Sequence, residues 1–235
     1  MDTNWAAEHL QTIRTLMERS ALYRRALAPI MIFNGVTGTV AAIAGILFDI
    51  ESPRDFVWFW GGVAIFAMAG SFLLVRRQAL KESEPFWSPP TRRVTQAMLP
   101  ALVAGLILGA LVLIRVNSVT QKTLFELDHP NFLAQLVVKA APDNLTNVLA
   151  MLWLPLAWVI LYGCAFHAAG FFMQRGMRIF GWAFVLGGCL LLARGIPDWP
   201  RRVIYAHGIM GFFFGLLHLA YGVYLYFTEQ HGNET

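Results

Sequence analysis

Apolar positions along this chain gather into six blocks that contain no Asp, Glu, Lys or Arg, at about residues 27–48, 56–75, 94–114, 146–173, 179–193 and 204–227. The blocks are apolar all round and show no clean period of 2 or 3.6, so length decides how they read. About 20 apolar residues make a helix that crosses about 30 Å of hydrocarbon at 1.5 Å per residue, and five blocks reach that length. The fifth, 179–193, would cover only about 22 Å. To cross, it needs Arg178 and Arg194 to snorkel outward or the bilayer to thin locally; otherwise it is re-entrant. The pattern therefore predicts an all-α integral membrane protein, a bundle of six transmembrane helices, with five helices plus one re-entrant segment as the alternative. Residues 1–25 form an arm, 26–228 a single helical membrane domain and 229–235 a tail.

Composition agrees, since 57% of residues are hydrophobic and only 14% charged, against about 25% charged in soluble domains. A soluble enzyme, a disulfide-stapled secreted domain and a disordered chain are excluded. Cys164 and Cys189 lie inside apolar blocks and read as small buried hydrophobes rather than a disulfide. The 15 Arg and 3 Lys border the blocks instead of forming one stripe, so lipid headgroups explain them better than nucleic acid.

The basic residues also predict orientation, because basic loops resist translocation. Arg14, Arg19, Arg24 and Arg25 mark the arm, and Arg76, Arg77, Lys81, Arg92 and Arg93 mark the connection between the second and third blocks. Both regions are expected in the cytoplasm. The first connection has Asp49, Glu51 and Asp55 with only Arg54, and suits the outer side, as does the sparsely charged stretch 115–143. Both termini are then cytoplasmic. The first 25 residues contain acids and the first block is too long for a signal core, so that block is expected to remain as an anchor.

Trp5, His9, Ile13 and Met17 recur every four residues along the arm, the pattern of an amphipathic helix on the inner surface; a solvated helix leading into the first span is the other reading. In the outer stretch, Pro130 followed by Phe132, Leu133, Leu136, Val137 and Ala140 predicts a short interfacial helix. Trp87, between prolines, is expected to hold its loop against the headgroups. Pro100 and Pro155 are expected to bend the third and fourth spans.

Helices in lipid associate mainly through small residues. The third span offers Gly105 and Gly109, and the sixth offers Gly208, Gly211, Gly215 and Gly222, as interhelical faces. Three of the six histidines, His167, His207 and His218, fall within the blocks, where an imidazole needs a partner. His167 and His218 have glycines one turn away on both sides. They lie at comparable depths, about 9 and 13 Å from the inner ends of their blocks. As cofactor-binding candidates they could hold haem b between facing imidazoles. The other reading is that each bonds a group on a neighbouring helix. His207, near the outer end, is expected to reach interfacial water. No set of three ligands suits a metal ion, and no motif of soluble catalysis occurs.

The run Ile13-Arg14-Thr15-Leu16-Met17-Glu18-Arg19-Ser20, Trp87, Leu161-Tyr162-Gly163 and Gly211-Phe212-Phe213-Phe214-Gly215-Leu216-Leu217-His218 resemble a family of uncharacterised bacterial six-helix inner-membrane proteins with an N-terminal amphipathic helix. The resemblance covers most of the chain and rests on packing residues. It implies the six-helix fold and the bacterial cytoplasmic membrane, and no chemistry.

The functional expectation is a non-enzymatic polytopic membrane protein, an accessory subunit or sensor acting through a protein partner, a second copy or lipid. The alternative is a small membrane redox protein binding haem b through His167 and His218.

Overall fold

A computed structural model describes residues 27–81, 87, 89–127, 153–173, 175–194 and 202–231. Among them the chain is helical, with no strand. The helices are α1 (Leu27–Leu47), α2 (Pro53–Lys81), α3 (Pro89–Leu127), α4 (Leu154–Ala169) and α5 (Arg175–Arg194). The last, α6, runs Arg202–Met210, passes through a π-helical segment Gly211–Leu217 and continues as His218–His231. Five of them, all but α4, are long and apolar enough to cross a membrane. The amphipathic arm, the interfacial helix expected near 130–140 and the start of the fourth block at 146–152 lie outside the described residues.

Local chemistry sets the turn between α1 and α2. Asp49 has φ 47°, its N–H bonds the Ile46 carbonyl at 3.3 Å, and the Ile50 N–H bonds the Gly45 carbonyl at 3.1 Å. This is a Schellman cap with an aspartate where glycine is usual. Ser52 then starts α2: its Oγ accepts from the Asp55 N–H at 3.2 Å, Pro53 takes the first helical position, where its missing N–H costs nothing, and Asp55 meets the helix dipole. Because a left-handed aspartate carries a backbone cost that glycine avoids, Asp49→Gly is expected to stabilise the protein by about 0.5–1 kcal/mol. Thermal unfolding in detergent would check this, and a lower midpoint for the variant would contradict it.

Four helices are longer than their charge-free blocks; α6 runs from Arg202 to His231. α2 continues to Lys81, and α3 continues past Arg115 to Leu127, about 58 Å in all. α5 takes in Arg175 to Arg178 and reaches 20 residues, about 30 Å. The block that is too short by sequence is thus one unbroken helix of crossing length, because two arginines with long apolar stems fit its first turn. The fourth block ends sooner than expected: α4 stops at Ala169 and the chain turns over Gly170–Met173. Pro155 lies at the start of the described α4, directly after Trp153 and Leu154, and the Trp153 backbone is already helical, so the bend expected there falls at the edge of the described residues.

α1 and α6 meet through glycines in antiparallel register. A Cβ at Gly211 would strike Ala42, one at Gly215 would lie 2.8 Å from the Thr39 nitrogen, and one at Gly222 would lie 2.8 Å from the Ile32 nitrogen. Gly38 and Gly35 answer from α1 against Phe214 and Leu219. α4 and α5 cross where Gly163 and Gly181 each leave no room for a side chain. Gly105 and Gly109 do face a neighbour, but what they admit is the Trp158 indole of α4, whose Nε1 donates to the Gly105 carbonyl at 2.8 Å. Gly208, expected on the α6 packing face, meets no described residue within 4 Å. Cys164 and Cys189 are free and exposed on the helix surfaces, where the sequence reading has them buried; they lie on the outward sides of α4 and α5, whose packing is made by glycine and phenylalanine.

Candidate functional site

Among the described residues two polar side chains are fully buried, His207 at 0% and His218 at 1% exposure. Both stand on α6 but serve different interfaces. His207 meets α1 and α2; His218 meets α4 and α5.

The Schellman turn ends with the Ile50 carbonyl close to His207 Nε2, at 3.3 Å. On the other side, Trp60 Nε1 of α2 lies 3.2 Å from His207 Nδ1. An indole N–H only donates, so Nδ1 accepts and the proton is on Nε2, which donates to the carbonyl. Phe56 and Phe59 stand edge-on to the ring at 5.0 and 6.0 Å. The absent side chain of Gly45 makes the space the imidazole fills. The ring is therefore a neutral connector of three elements. It does not reach interfacial water as the sequence reading expects, because α2 and the turn before it close over it.

His218 lies just after the π segment. Its Nδ1 is 2.9 Å from the Phe213 carbonyl five residues back, and its Nε2 is 3.1 Å from the Tyr162 hydroxyl of α4. A carbonyl only accepts, so Nδ1 carries the proton and Tyr162 donates to Nε2. Phe166, Phe180, Phe184 and Phe214 surround the ring with centroids 5.1–6.2 Å away. The glycines flanking it leave their room to α1, not to a ligand. π segments often mark functional positions in helices; here one places a hydrogen-bonded imidazole inside a phenylalanine shell.

His167 is elsewhere. It faces Phe171 at 5.3 Å and Trp182 at 5.2 Å, both exposed aromatics, and its Nδ1 is buried without a hydrogen-bond partner. Tyr162 and Phe166 point from α4 to His218, whereas His167, the next residue on, is turned by about 100°. The structure does not bring His167 and His218 together, and both nitrogens of His218 are engaged. This pair does not fit a haem iron, which needs two free imidazole nitrogens facing each other. Among the described residues, no group of three His, Cys, Asp or Glu side chains is close enough to hold a metal ion.

Sequence reasoning missed the partners, Trp60 and Tyr162. A usable signal exists in their chemistry: a Trp N–H or Tyr O–H inside an apolar block must find an acceptor, and imidazole is one. It also missed Ser71 and Asn34, which join α2 to α1 at 3.1 Å.

Among the described residues the chain is an all-helical bundle with five helices long and apolar enough to cross a membrane, the pattern of a multi-pass membrane protein, and its two buried histidines join helices to one another. Comparison with protein-family models, curated proteins and solved structures gives no match.

Proposed function

We propose that the chain is a six-helix multi-pass protein of the bacterial inner membrane, with both termini in the cytoplasm, that works through a membrane-embedded protein or lipid partner and not by catalysis. The observation carrying this reading is α3. Within Thr91–Arg115 only Gly105 and Gly109 are buried, and the helix turns Leu99, Val103, Leu106, Ile107 and Ile114 outward. It packs on α4, where Trp158 and Leu161 meet the Gly105 and Gly109 groove, and on α2, where Val57 approaches Gly109. A helix packed along one side offers a long apolar face to whatever surrounds it on the other, lipid, a second copy or another subunit. α4 joins α3 and α5 and supplies the sixth crossing.

Affinity purification of the full chain from native membranes tests the partner reading, with a stoichiometric protein or bound lipid expected. A chain that purifies alone and then turns over a substrate would overturn it. Reporter fusions test the crossing number: Thr235 should report cytoplasm and the region of Lys122 the outer side. A C-terminus found outside would remove one crossing.

A further inference from the structure

Where α4 hands over to α5, two pairs of side chains spaced four apart face each other. His167 and Phe171 come from α4 and its turn, Arg178 and Trp182 from α5. The Arg178 guanidinium lies over the Phe171 ring, 5.3 Å from its centroid, and Trp182 stands edge-on to His167. Gly170 makes the closeness possible, since a Cβ there would lie 2.8 Å from the Arg178 nitrogen. A guanidinium held over a ring still has N–H groups free for an acceptor, and its fork geometry suits phosphate. No acidic side chain pairs with it among the described residues. Arg175, one turn earlier and exposed, adds a second positive charge. Phe171 and Trp182 are 64% and 49% exposed, aromatics at the rank where a helix enters the headgroup layer.

About one turn deeper, at the level of Gly181 against the His167 backbone, the orphan Nδ1 of His167 waits for a partner. An unmet buried polar atom is costly, so a partner there is favoured. A diacyl phospholipid presents a phosphate and, below it, ester carbonyls, in the same vertical order.

We propose that this quartet is a binding site for an anionic diacyl phospholipid, its phosphate on the edge of Arg178 and an ester carbonyl accepting from His167 Nδ1 as Trp182 and Phe171 part around the glycerol. The inference rests on the membrane reading above and names the lipid partner it leaves open. Arg175 and Arg178 select negative headgroups; the His167 bond selects for a lipid ester over a free phosphate.

The test is native mass spectrometry of the full chain in detergent, titrated with phosphatidylglycerol, phosphatidylcholine or inorganic phosphate. Preference for phosphatidylglycerol over phosphatidylcholine is expected, with inorganic phosphate retained poorly. Arg178→Gln should lower that preference about fivefold, the factor corresponding to ~1 kcal/mol per arginine at an anionic surface. Arg194→Gln, at the far end of α5, should leave it unchanged. Arg178→Lys, for use should the glutamine variant misfold, should keep the preference for negative lipid and weaken retention. His167→Phe should weaken retention of both lipids while leaving the preference between them. No preference in the wild type, or equal losses for Arg178→Gln and Arg194→Gln, would overturn the site. Because the titration does not depend on sidedness, its failure is separate from that of the topology, which the fusions at Thr235 and Lys122 read.

Discussion

Replacing Gly215 by valine is expected to cost about 3 kcal/mol or more, the upper end of what overpacking a tight interface does. The atoms a Cβ would meet there are the Thr39 nitrogen and Cα, at 2.8 and 3.0 Å. Those are backbone atoms of α1, which cannot rotate away as a side chain could. Relief would need the whole α1–α6 contact to open, and with it the close approaches at Gly35 and Gly38. Gly208→Val is the matched control, since no described residue lies within 4 Å of a Cβ at Gly208; a change within about 0.5 kcal/mol is expected, as for surface substitutions. Reversible unfolding in mixed micelles would measure both. Equal stabilities for the two variants would rule out the α1–α6 glycine contact as a determinant of the fold.

Replacing His218 by phenylalanine should have the next largest effect. It leaves the Tyr162 hydroxyl without its acceptor and the Phe213 carbonyl without its side-chain donor. Each unmet buried group costs about 1–3 kcal/mol in water-soluble proteins, but interhelical polar contacts in membranes average nearer ~0.6, so a total loss of about 1–3 kcal/mol is expected. His218→Gln keeps a donor and an acceptor and should lose about 1 kcal/mol. Combining His218→Phe with Tyr162→Phe removes both ends of one bond, so the pair should cost less than the two separate losses added together. Strict additivity would mean that Tyr162 and His218 are not coupled. His167→Gln is expected to behave differently from His218→Gln, because its Nδ1 starts with no partner. If both variants lost one shared visible absorbance, the two rings would have to serve a common cofactor, against the geometry found here.

How far the sequence reaches can be judged from these same residues. Charge-free blocks of near-bilayer length are a one-dimensional property, so the helical class and the positions of α1, α2, α3 and α6 follow from the chain alone. Gly211, Gly215 and Gly222 are legible as a packing face because small residues at helical spacing admit a neighbour. The two buried histidines are legible as groups in need of partners.

What the chain alone leaves open is which partner each face receives. Gly208 shares the arc of the other α6 glycines yet meets no described residue, although His207 beside it still packs on Gly45 of α1; about 60° round the helix from Gly211, it stands at the edge of the contact. Gly105 and Gly109 carry the spacing of a helix-pairing motif and receive an indole, because α4, which has no charge or period of its own to announce it, lies across them. His207 and His218 sit eleven residues apart on one helix, and that spacing places them side by side in arc without saying that one meets α2 and the other α4 and α5. Local composition determines that these segments are helices and that their polar atoms must be satisfied. Only the three-dimensional crossing of the helices decides which donor lies within 3.2 Å of which acceptor, since such a distance depends on residues more than 50 positions apart in the chain.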